Sequence, residues 1–279
     1  MARGPSDTGL LGFLYGTAPG RLLLRPLTAR WLSRLAGRFM DSRLSCPLIA
    51  PFIRKNGIEM GDYLPEQYPS FNAFFTRKIR PEARPLDRDP AHLMAPCDGR
   101  LSVYAIDKNS VFTIKHSRYD VAALLGGDDC AEQYQGGMAL VFRLCVDDYH
   151  RYHYLDDGVK EDNHFIPGVL HTVRPIALEH TDVFIQNCRE YSILHTDHFG
   201  AVAQIEVGAL LVGRISNNLG AGSFRRGEEK GKFLYGGSTI VLLLPPGAAE
   251  IEDRYWQATA RGEEVRVRLG QCVGHARKE

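Results

Sequence analysis

From about Leu93 to its end, the chain is divided into short strand-like segments that are bounded by Gly, Pro and Asp. Short runs of β-branched and aromatic residues are typical of strands, and brief connections favour antiparallel pairing in a sandwich or barrel. Within this region, Ala122–Leu125 suggests one short helix. The predicted strands are Arg100–Ile106, Val111–His116, Met138–Cys145, Val169–Val173, Glu190–Thr196, Val202–Val207, Leu210–Ile215, Lys232–Tyr235, Thr239–Leu244 and Glu264–Leu269.

The first 80 residues differ, because a helical period replaces the strand-like alternation. An apolar stripe recurs close to every 3.6 residues, and a line of arginines runs beside it. The stripe and the line consist of Leu24, Leu27, Trp31, Leu35, Phe39 and of Arg30, Arg34, Arg38. The pattern predicts one helix with Pro26 near its start, where proline is tolerated best. Such a helix either packs on the main body by its apolar stripe or lies on an anionic membrane surface.

A proline-rich link from Arg80-Pro81 to Arg84-Pro85 indicates a domain boundary. We therefore predict an N-terminal helical, membrane-associating segment with its linker over residues 1–85, and a β-rich domain over residues 86–279. The predicted fold class is α+β, with a predominantly antiparallel β sandwich or barrel-like core and an N-terminal helical segment.

Composition excludes several classes of protein. The formal net charge of +1 provides no overall field that would favour nucleic acid. The six cysteines include no CxxC pair, and no secretory signal is recognised, so reduced thiols in a cytosolic setting are expected. The longest apolar runs, such as Leu48–Ile53, are much shorter than the roughly 18 residues that a spanning helix needs.

A paired glycine, Gly236-Gly237, precedes Ser238-Thr239 between two strand-like runs. On its own this stretch is compatible with an ordinary hairpin turn. It is also compatible with self-cleavage, because the absence of a Cβ on Gly237 lets the hydroxyl of Ser238 approach the preceding carbonyl. The short motif alone does not decide between the two interpretations.

Five separated segments decide in favour of self-cleavage. In their order and spacing they resemble the phosphatidylserine decarboxylase proenzyme family, from about Ser70 to Val273. The segments are Phe74-Phe75-Thr76-Arg77, Pro96-Cys97-Asp98-Gly99, Asp147-Asp148-Tyr149-His150-Arg151-Tyr152-His153, Glu206 to Ile215, and Gly227-Glu228-Glu229-Lys230-Gly231 leading to Gly236-Gly237-Ser238.

The resemblance implies a specific set of site residues. Asp98, His153 and Ser238 match the family's self-processing triad, and His150 matches a histidine that takes part in decarboxylation. Cleavage between Gly237 and Ser238 would give a large chain of residues 1–237 and a small chain of 238–279. The resemblance further implies that Ser238 becomes a covalent pyruvoyl group, which acts as an electron sink. No metal or other cofactor is expected.

The two histidines raise a geometric problem, since residues i and i+3 of a regular strand face opposite sides. We therefore expect Asp147–His153 to form a turn or short helix that is capped by Asp147 or Asp148. Many family members have proline two residues after the second histidine, whereas this chain has Leu155. This departure places the headgroup selectivity in doubt.

The resemblance also implies the partners. Phosphatidylserine is the expected substrate, and a diacyl lipid favours the membrane interpretation of the N-terminal helix, with peripheral contact at the cytoplasmic face. A homodimer is possible. Two alternatives stay open: a pyruvoyl decarboxylase of another serine phospholipid or of a free amino acid, and a β-sandwich binding module that is not processed.

Overall fold

The computed structural model describes residues 9–114, 117–127, 129–209, 214–234 and 238–277. The helices are α1 (Leu10–Gly16), α2 (Ala18–Leu27), α3 (Arg30–Met40), α4 (Ile49–Asn56), α5 (Phe71–Phe75), α6 (Val121–Leu124), α7 (Pro175–Leu178), α8 (Val183–Gln186) and α9 (Asp253–Ala260). Short 3-10 helices are found at Arg43–Leu48, Met60–Asp62, Pro81–Ala83 and Asp129–Tyr134.

The strands begin after residue 90, as the sequence predicts. They are β1 (His92–Met94), β2 (Gly99–Ala105), β3 (Val111–Ile114), β4 (Ser117–Asp120), β5 (Met138–Leu144), β6 (Arg151–His153), β7 (Gly158–Lys160), β8 (His164–Ile166), β9 (Arg189–Thr196), β10 (Gly200–Val207), β11 (Ile215–Asn217), β12 (Gly222–Phe224), β13 (Glu229–Phe233), β14 (Ser238–Leu244), β15 (Ala249–Ile251), β16 (Val265–Val267) and β17 (Cys272–Ala276).

One large antiparallel sheet organises the fold. Its strand order is β12-β7-β9-β10-β14-β5-β2-β16, and β8 pairs with β9 beside this path. Smaller sheets have the orders β1-β17-β15 and β11-β13-β6, and β3 and β4 form a hairpin. Among the described strands the large sheet stays open, with β12 and β16 at its edges. Of the two predicted architectures, the sandwich therefore agrees better with the observed sheet than the closed barrel does. The α+β prediction is confirmed.

Strand β14 lies at the centre of this sheet, between β10 and β5. All seven of its residues are buried, which explains its nearly unbroken apolar sequence. Ile240 and Leu242 face one hydrophobic cluster, together with Phe142. Val241 and Leu243 face the other. Strand β14 is therefore held by apolar contacts on both of its faces.

The N-terminal helix prediction is wrong in one respect, because the predicted single helix is two helices. Helix α2 ends at Leu27 and α3 begins at Arg30, with Ala29 between them in an extended conformation. The carbonyl of Thr28 accepts a hydrogen bond from the amide of Leu170, which lies in a distant loop. This tertiary contact holds the chain where the helix is interrupted.

The strand predicted at Val169–Val173 does not form. Its amides instead bond to other partners: Leu170 N–H to the carbonyl of Thr28, His171 N–H to Asn187 Oδ1, and Thr172 N–H to the hydroxyl oxygen of Tyr15. Only an isolated bridge joins Val169 to Asn187 within the described part of the chain. Separate backbone and side-chain acceptors therefore replace the strand ladder that the apolar pattern predicts.

The other predicted strands overlap observed ones, although Leu210–Ile215 shares only Ile215 with β11. The helix predicted at Ala122–Leu125 is also present, as α6. Three of the predicted strands extend into residues 115–116, 210–213 and 235, which lie outside the described residues. The strands that prediction missed are mostly of three residues, too short for a visible alternation.

The link around residue 85 is packed against the β-rich part. Phe71, Phe74 and Phe75 of α5 share a hydrophobic cluster with Tyr149 and Leu269. The division at residues 85/86 stays a prediction. In the described part of the chain, no helix is both long and apolar enough to span a bilayer. No disulfide joins any of the six cysteines, all of which are described.

Candidate active site

Ser238 is the first residue of β14, and its side chain is fully buried. The strand before it, β13, pairs with β11 and β6, whereas β14 pairs with β10 and β5. The two strands therefore belong to different sheets, and the hairpin interpretation of Gly236-Gly237-Ser238-Thr239 is wrong. Gly237, the other residue of the predicted scissile bond, lies outside the described residues.

His150 is the histidine that contacts Ser238. Ser238 Oγ lies 3.3 Å from His150 Nδ1, and His150 Nε2 lies 2.9 Å from the carbonyl oxygen of Cys145. Because a carbonyl oxygen can only accept, Nε2 carries the proton and Nδ1 presents its lone pair to the serine hydroxyl. The hydroxyl of Ser238 therefore donates to a neutral imidazole.

The surroundings of His150 keep it neutral. Its side chain is completely buried and stacks on the ring of Phe75, with 4.1 Å between the ring centroids. Burial, aided by the positive charge of Arg77, lowers the pKa of His150 to about 3. The guanidinium of Arg77 is itself buried, 4.1 Å above the ring of Tyr63. A proton on His150 is consequently unstable and is given up readily.

His153 lies on β6, where its backbone amide donates to the carbonyl of Pro96. Its ring stacks near Tyr149, and its Nδ1 is buried without a hydrogen-bond partner among the described residues. Burial lowers the pKa of His153 to about 4, while the negative charges of Glu229 and Asp98 act in the opposite direction. At His153, two carboxylates favour a proton and Arg151 opposes it, whereas at His150 the charge of Arg77 opposes one.

The turn predicted at Asp147–His153 is correct only in its first part. Asp148 closes a turn by accepting a hydrogen bond from the amide of Cys145 at 2.7 Å, and its own amide donates to the carbonyl of Cys145. Residues Arg151–His153 then form β6, which contradicts the prediction for them. His150 precedes the strand, so the regular alternation of strand side chains does not fix its direction.

Asp98 is buried and held by Arg84. Arg84 Nε donates to both carboxylate oxygens at 2.8 and 3.1 Å, and Arg84 Nη2 lies 2.6 Å from Oδ2. The amide of Leu269 also donates to Asp98, at 2.8 Å. Among the described residues, no hydrogen bond joins Asp98 to His153 or His153 to Ser238. The structure therefore brings His150 to Ser238 directly, and relates Asp98 to His153 through charge.

Arg84 and Phe75 are site residues to which the sequence analysis gave no role. The pattern of the link predicts only a boundary, although an arginine between Pro81 and Pro85 is a usable signal. Phe75 and Arg77 belong to a segment that carried the resemblance, and its paired aromatic residues beside an arginine indicated burial.

A buried polar network supports the strands on either side of the predicted scissile bond. Lys230 Nζ on β13 lies 2.7 Å from Glu206 Oε1 on β10 and 3.0 Å from Asn217 Oδ1. Glu206 is opposite Ile240 in the register of β10 and β14. Both charged side chains are fully buried. Removing one partner of such a pair typically costs about 3–5 kcal/mol, because the other charge is left buried and unpaired.

This arrangement is suited to nucleophilic chemistry at Ser238. A buried serine hydroxyl that donates to a neutral imidazole is held in one orientation for attack on a carbonyl, and burial strengthens the electrostatic interactions of the site. A pyruvoyl group formed from Ser238 fits the same position, since it needs a buried residue that starts a chain and a nearby group that exchanges protons.

Comparison with known proteins agrees with this geometry. A family model described as phosphatidylserine decarboxylase matches residues 71–275. The chain is 42% identical over 267 residues to phosphatidylserine decarboxylase proenzyme 2 of Clostridium acetobutylicum. The matched region covers 95% of this chain and 91% of the relative. The chain is 40% identical over 272 residues to the proenzyme of Ruminiclostridium cellulolyticum, with the same coverage. The chain belongs to the pyruvoyl-dependent phosphatidylserine decarboxylase family.

Proposed function

We propose that this protein decarboxylates phosphatidylserine to phosphatidylethanolamine and CO₂, after cutting itself between Gly237 and Ser238. The observation that carries the proposal is the buried hydroxyl of Ser238 against the neutral imidazole of His150. Family membership supports both the reaction and the use of a pyruvoyl group. The assignment of that group to Ser238 is our own.

The proposed cut begins when Ser238 Oγ attacks the carbonyl carbon of Gly237. The peptide C–N bond breaks as an ester C–O bond forms, and the proton of the hydroxyl moves to the freed amine. Loss of the Cα proton of Ser238 then releases the carboxylate of Gly237 and leaves dehydroalanine. Water replaces the nitrogen, which departs as ammonia, and the small chain begins with pyruvoyl.

We assign the proton transfers of the cut to His153, supported by Asp98. Glu229 and Asp98 favour an imidazolium at His153, against burial and the charge of Arg151, and an imidazolium is what a general base must become. At His150 the neighbouring Arg77 disfavours the same charge. Since no hydrogen bond in the described part of the chain joins His153 to Ser238, this assignment requires one bridging water.

We assign decarboxylation to residue 238 together with His150. Once formed, the pyruvoyl group would supply a carbonyl that takes up the electrons released as CO₂ leaves. His150 lies against this position, and its buried ring is oriented by the bond from Nε2 to the carbonyl of Cys145. Decarboxylation consumes one proton, which His150 takes up from solvent and, because its pKa is low, passes readily to the substrate carbon that has lost its carboxylate.

The two chains are expected to remain one folded unit after the cut. The small chain contributes β14, which stays paired with β5 of the large chain over all its residues and with β10 from Thr239 to Leu243. The end of the large chain is held by β13, through the ion pair of Lys230 with Glu206. Cleavage therefore changes one peptide bond without removing the contacts that position Ser238.

We further propose that the N-terminal helices contact an anionic membrane surface. Ten of the fourteen exposed large apolar side chains of the described residues lie between residues 10 and 48. Apart from Leu24, which is buried, the predicted apolar stripe does not pack inward, since Trp31, Leu35 and Phe39 are 61%, 59% and 44% exposed. Arg34 and Arg38 are exposed beside them. An exposed apolar patch rimmed by cations suits lipid headgroups and acyl chains together.

Placing charge on this patch is expected to weaken membrane binding. The double substitution Trp31→Asp and Leu35→Asp should reduce binding to phosphatidylserine vesicles by at least about 100-fold, because each exposed apolar side chain contributes on the order of 1.5–3 kcal/mol when buried and tenfold in binding corresponds to about 1.4 kcal/mol. Sedimentation with vesicles measures the change. The matched control, Val159→Asp with Leu219→Asp, alters two exposed apolar residues elsewhere and should bind normally. Equal binding by both variants would contradict the membrane proposal.

Substrate class is tested by comparing lipid with free amino acid. Purified protein should release CO₂ from phosphatidylserine in vesicles and form phosphatidylethanolamine in equal amount. Free serine at the same concentration should react far more slowly, since it has no acyl chains to seat at the membrane. Preferential turnover of free serine would favour a soluble-substrate decarboxylase. Action at the cytoplasmic face and a homodimer stay predictions.

A further inference from the structure

His92, Cys272 and His275 form a cluster of metal-binding side chains away from the residues described above. Strands β1 and β17 pair so that His92 is opposite His275, and Met94 is opposite Cys272. One donor atom from each of the three residues lies within 4.8 Å of the other two. The first two side chains are partly buried and the third is exposed, so an ion can reach them from solvent.

The orientation of His92 favours a metal ligand. His92 Nδ1 lies 2.8 Å from Asp87 Oδ2, and a carboxylate can only accept, so Nδ1 carries the proton. The lone pair on Nε2 is then available to an ion. A carboxylate that fixes the tautomer of a ligating histidine is the usual outer partner in zinc sites. Asp89 Oδ2, 3.5 Å from Nε2, adds negative charge beside the cluster.

The donor atoms, all within 4.8 Å of one another, are near enough to be drawn together around one tetrahedral ion. Zinc bonds of about 2.0–2.1 Å to nitrogen and 2.3 Å to sulfur place neighbouring donor atoms roughly 3.3–3.6 Å apart. Partly exposed side chains can close the remaining gap by rotation. Two imidazoles with one thiolate are borderline-soft donors, which favour zinc over magnesium or calcium.

We propose that His92, Cys272 and His275 form a surface site for a zinc-class divalent ion, with water as the fourth ligand. The site joins the part of the chain before residue 238, which contains His92, to the part after it, which contains Cys272 and His275. If the proposed cut occurs, the ion links the large chain to the small one. This last consequence rests on the proposed function, whereas metal binding itself does not.

The test is a titration of the purified full-length protein with Zn²⁺ and with Co²⁺, after treatment with a chelator. The unsubstituted protein should bind one Zn²⁺ per chain, and bound Co²⁺ should give the intense visible absorption of a tetrahedral site with a sulfur charge-transfer band. Cys272→Ser should remove that band and weaken Zn²⁺ binding at least 10- to 100-fold, the range typical of losing even an outer partner. Asp87→Asn, which removes the outer partner of His92, should weaken Zn²⁺ binding by roughly 10- to 100-fold.

Two controls make the result decisive. Cys46→Ser changes another partly buried thiol and should bind both ions normally. Ser238→Ala, tested in parallel, should bind the metal even though it is not cut. Metal binding is therefore tested separately from self-cleavage, and an error in the proposed function would not appear as a loss of metal binding. Absence of Co²⁺ absorption in the unsubstituted protein, or equal Zn²⁺ binding after Cys272→Ser, would overturn the proposal.

Discussion

Replacing Ser238 by alanine is expected to leave a single chain of 31.2 kDa without decarboxylase activity. The substitution removes the hydroxyl that attacks Gly237, and alanine cannot be converted to pyruvoyl. Because the lost group is one oxygen at the start of β14, whose remaining contacts are apolar, the fold should persist. A denaturing gel, a lipid decarboxylation assay and a thermal unfolding curve measure the three expectations.

The neighbouring hydroxyl provides the matched control. Thr239 is also fully buried on β14, but consecutive strand residues face opposite sides, and Thr239 Oγ1 has no hydrogen-bond partner in the described part of the chain. Thr239→Val keeps the shape of the side chain and should be cut at the normal site. Continued cleavage of the Ser238→Ala chain at this site would show that the nucleophile is another group.

The two histidines are expected to separate the cut from decarboxylation. His153→Ala should slow self-cleavage by roughly 10²–10⁴-fold, the usual contribution of a general acid–base residue. His150→Ala should still be cut, but should decarboxylate phosphatidylserine more slowly by a factor of about 10²–10⁴ per pyruvoyl chain. The cut is followed on a denaturing gel, and the activity is divided by the amount of small chain.

The opposite pattern would contradict this assignment. If His150→Ala stays intact while His153→Ala is cut normally, the direct contact between His150 and Ser238 is the route of the proton. His171→Ala serves as the control for loss of a half-buried histidine elsewhere, since its ring bonds Tyr15, far along the chain from the proposed site. That variant should be cut and should turn over phosphatidylserine at the normal rate.

The central strand of the fold, β14, could be predicted from its own residues. An apolar run that includes Ile240 and Val241 is typical of a strand buried on both faces, and it is found at the centre of the sheet. His150 and Ser238, 88 residues apart, could be joined only through the resemblance to a family. Spacing alone contains no information on such a contact.

The features that prediction missed depend on tertiary contacts. The break after α2 involves the hydrogen bond between Thr28 and Leu170, which no local propensity describes. The ion pair of Arg84 with Asp98 unites a link with a turn, so neither partner alone indicates it. Likewise, the exposure of Trp31 could not be inferred from periodicity, because an amphipathic stripe has the same sequence pattern whether it faces a core or a membrane.

The most direct test of self-processing at Ser238 is the intact mass of the purified, unsubstituted protein under denaturing conditions. The account predicts two chains, residues 1–237 ending in an ordinary carboxylate and residues 238–279 beginning with pyruvoyl. The small chain should be lighter by one ammonia than the same peptide beginning with serine, and it should resist sequential degradation from its N-terminus. A single chain of 31.2 kDa, or a small chain with an intact N-terminal serine, would contradict the account.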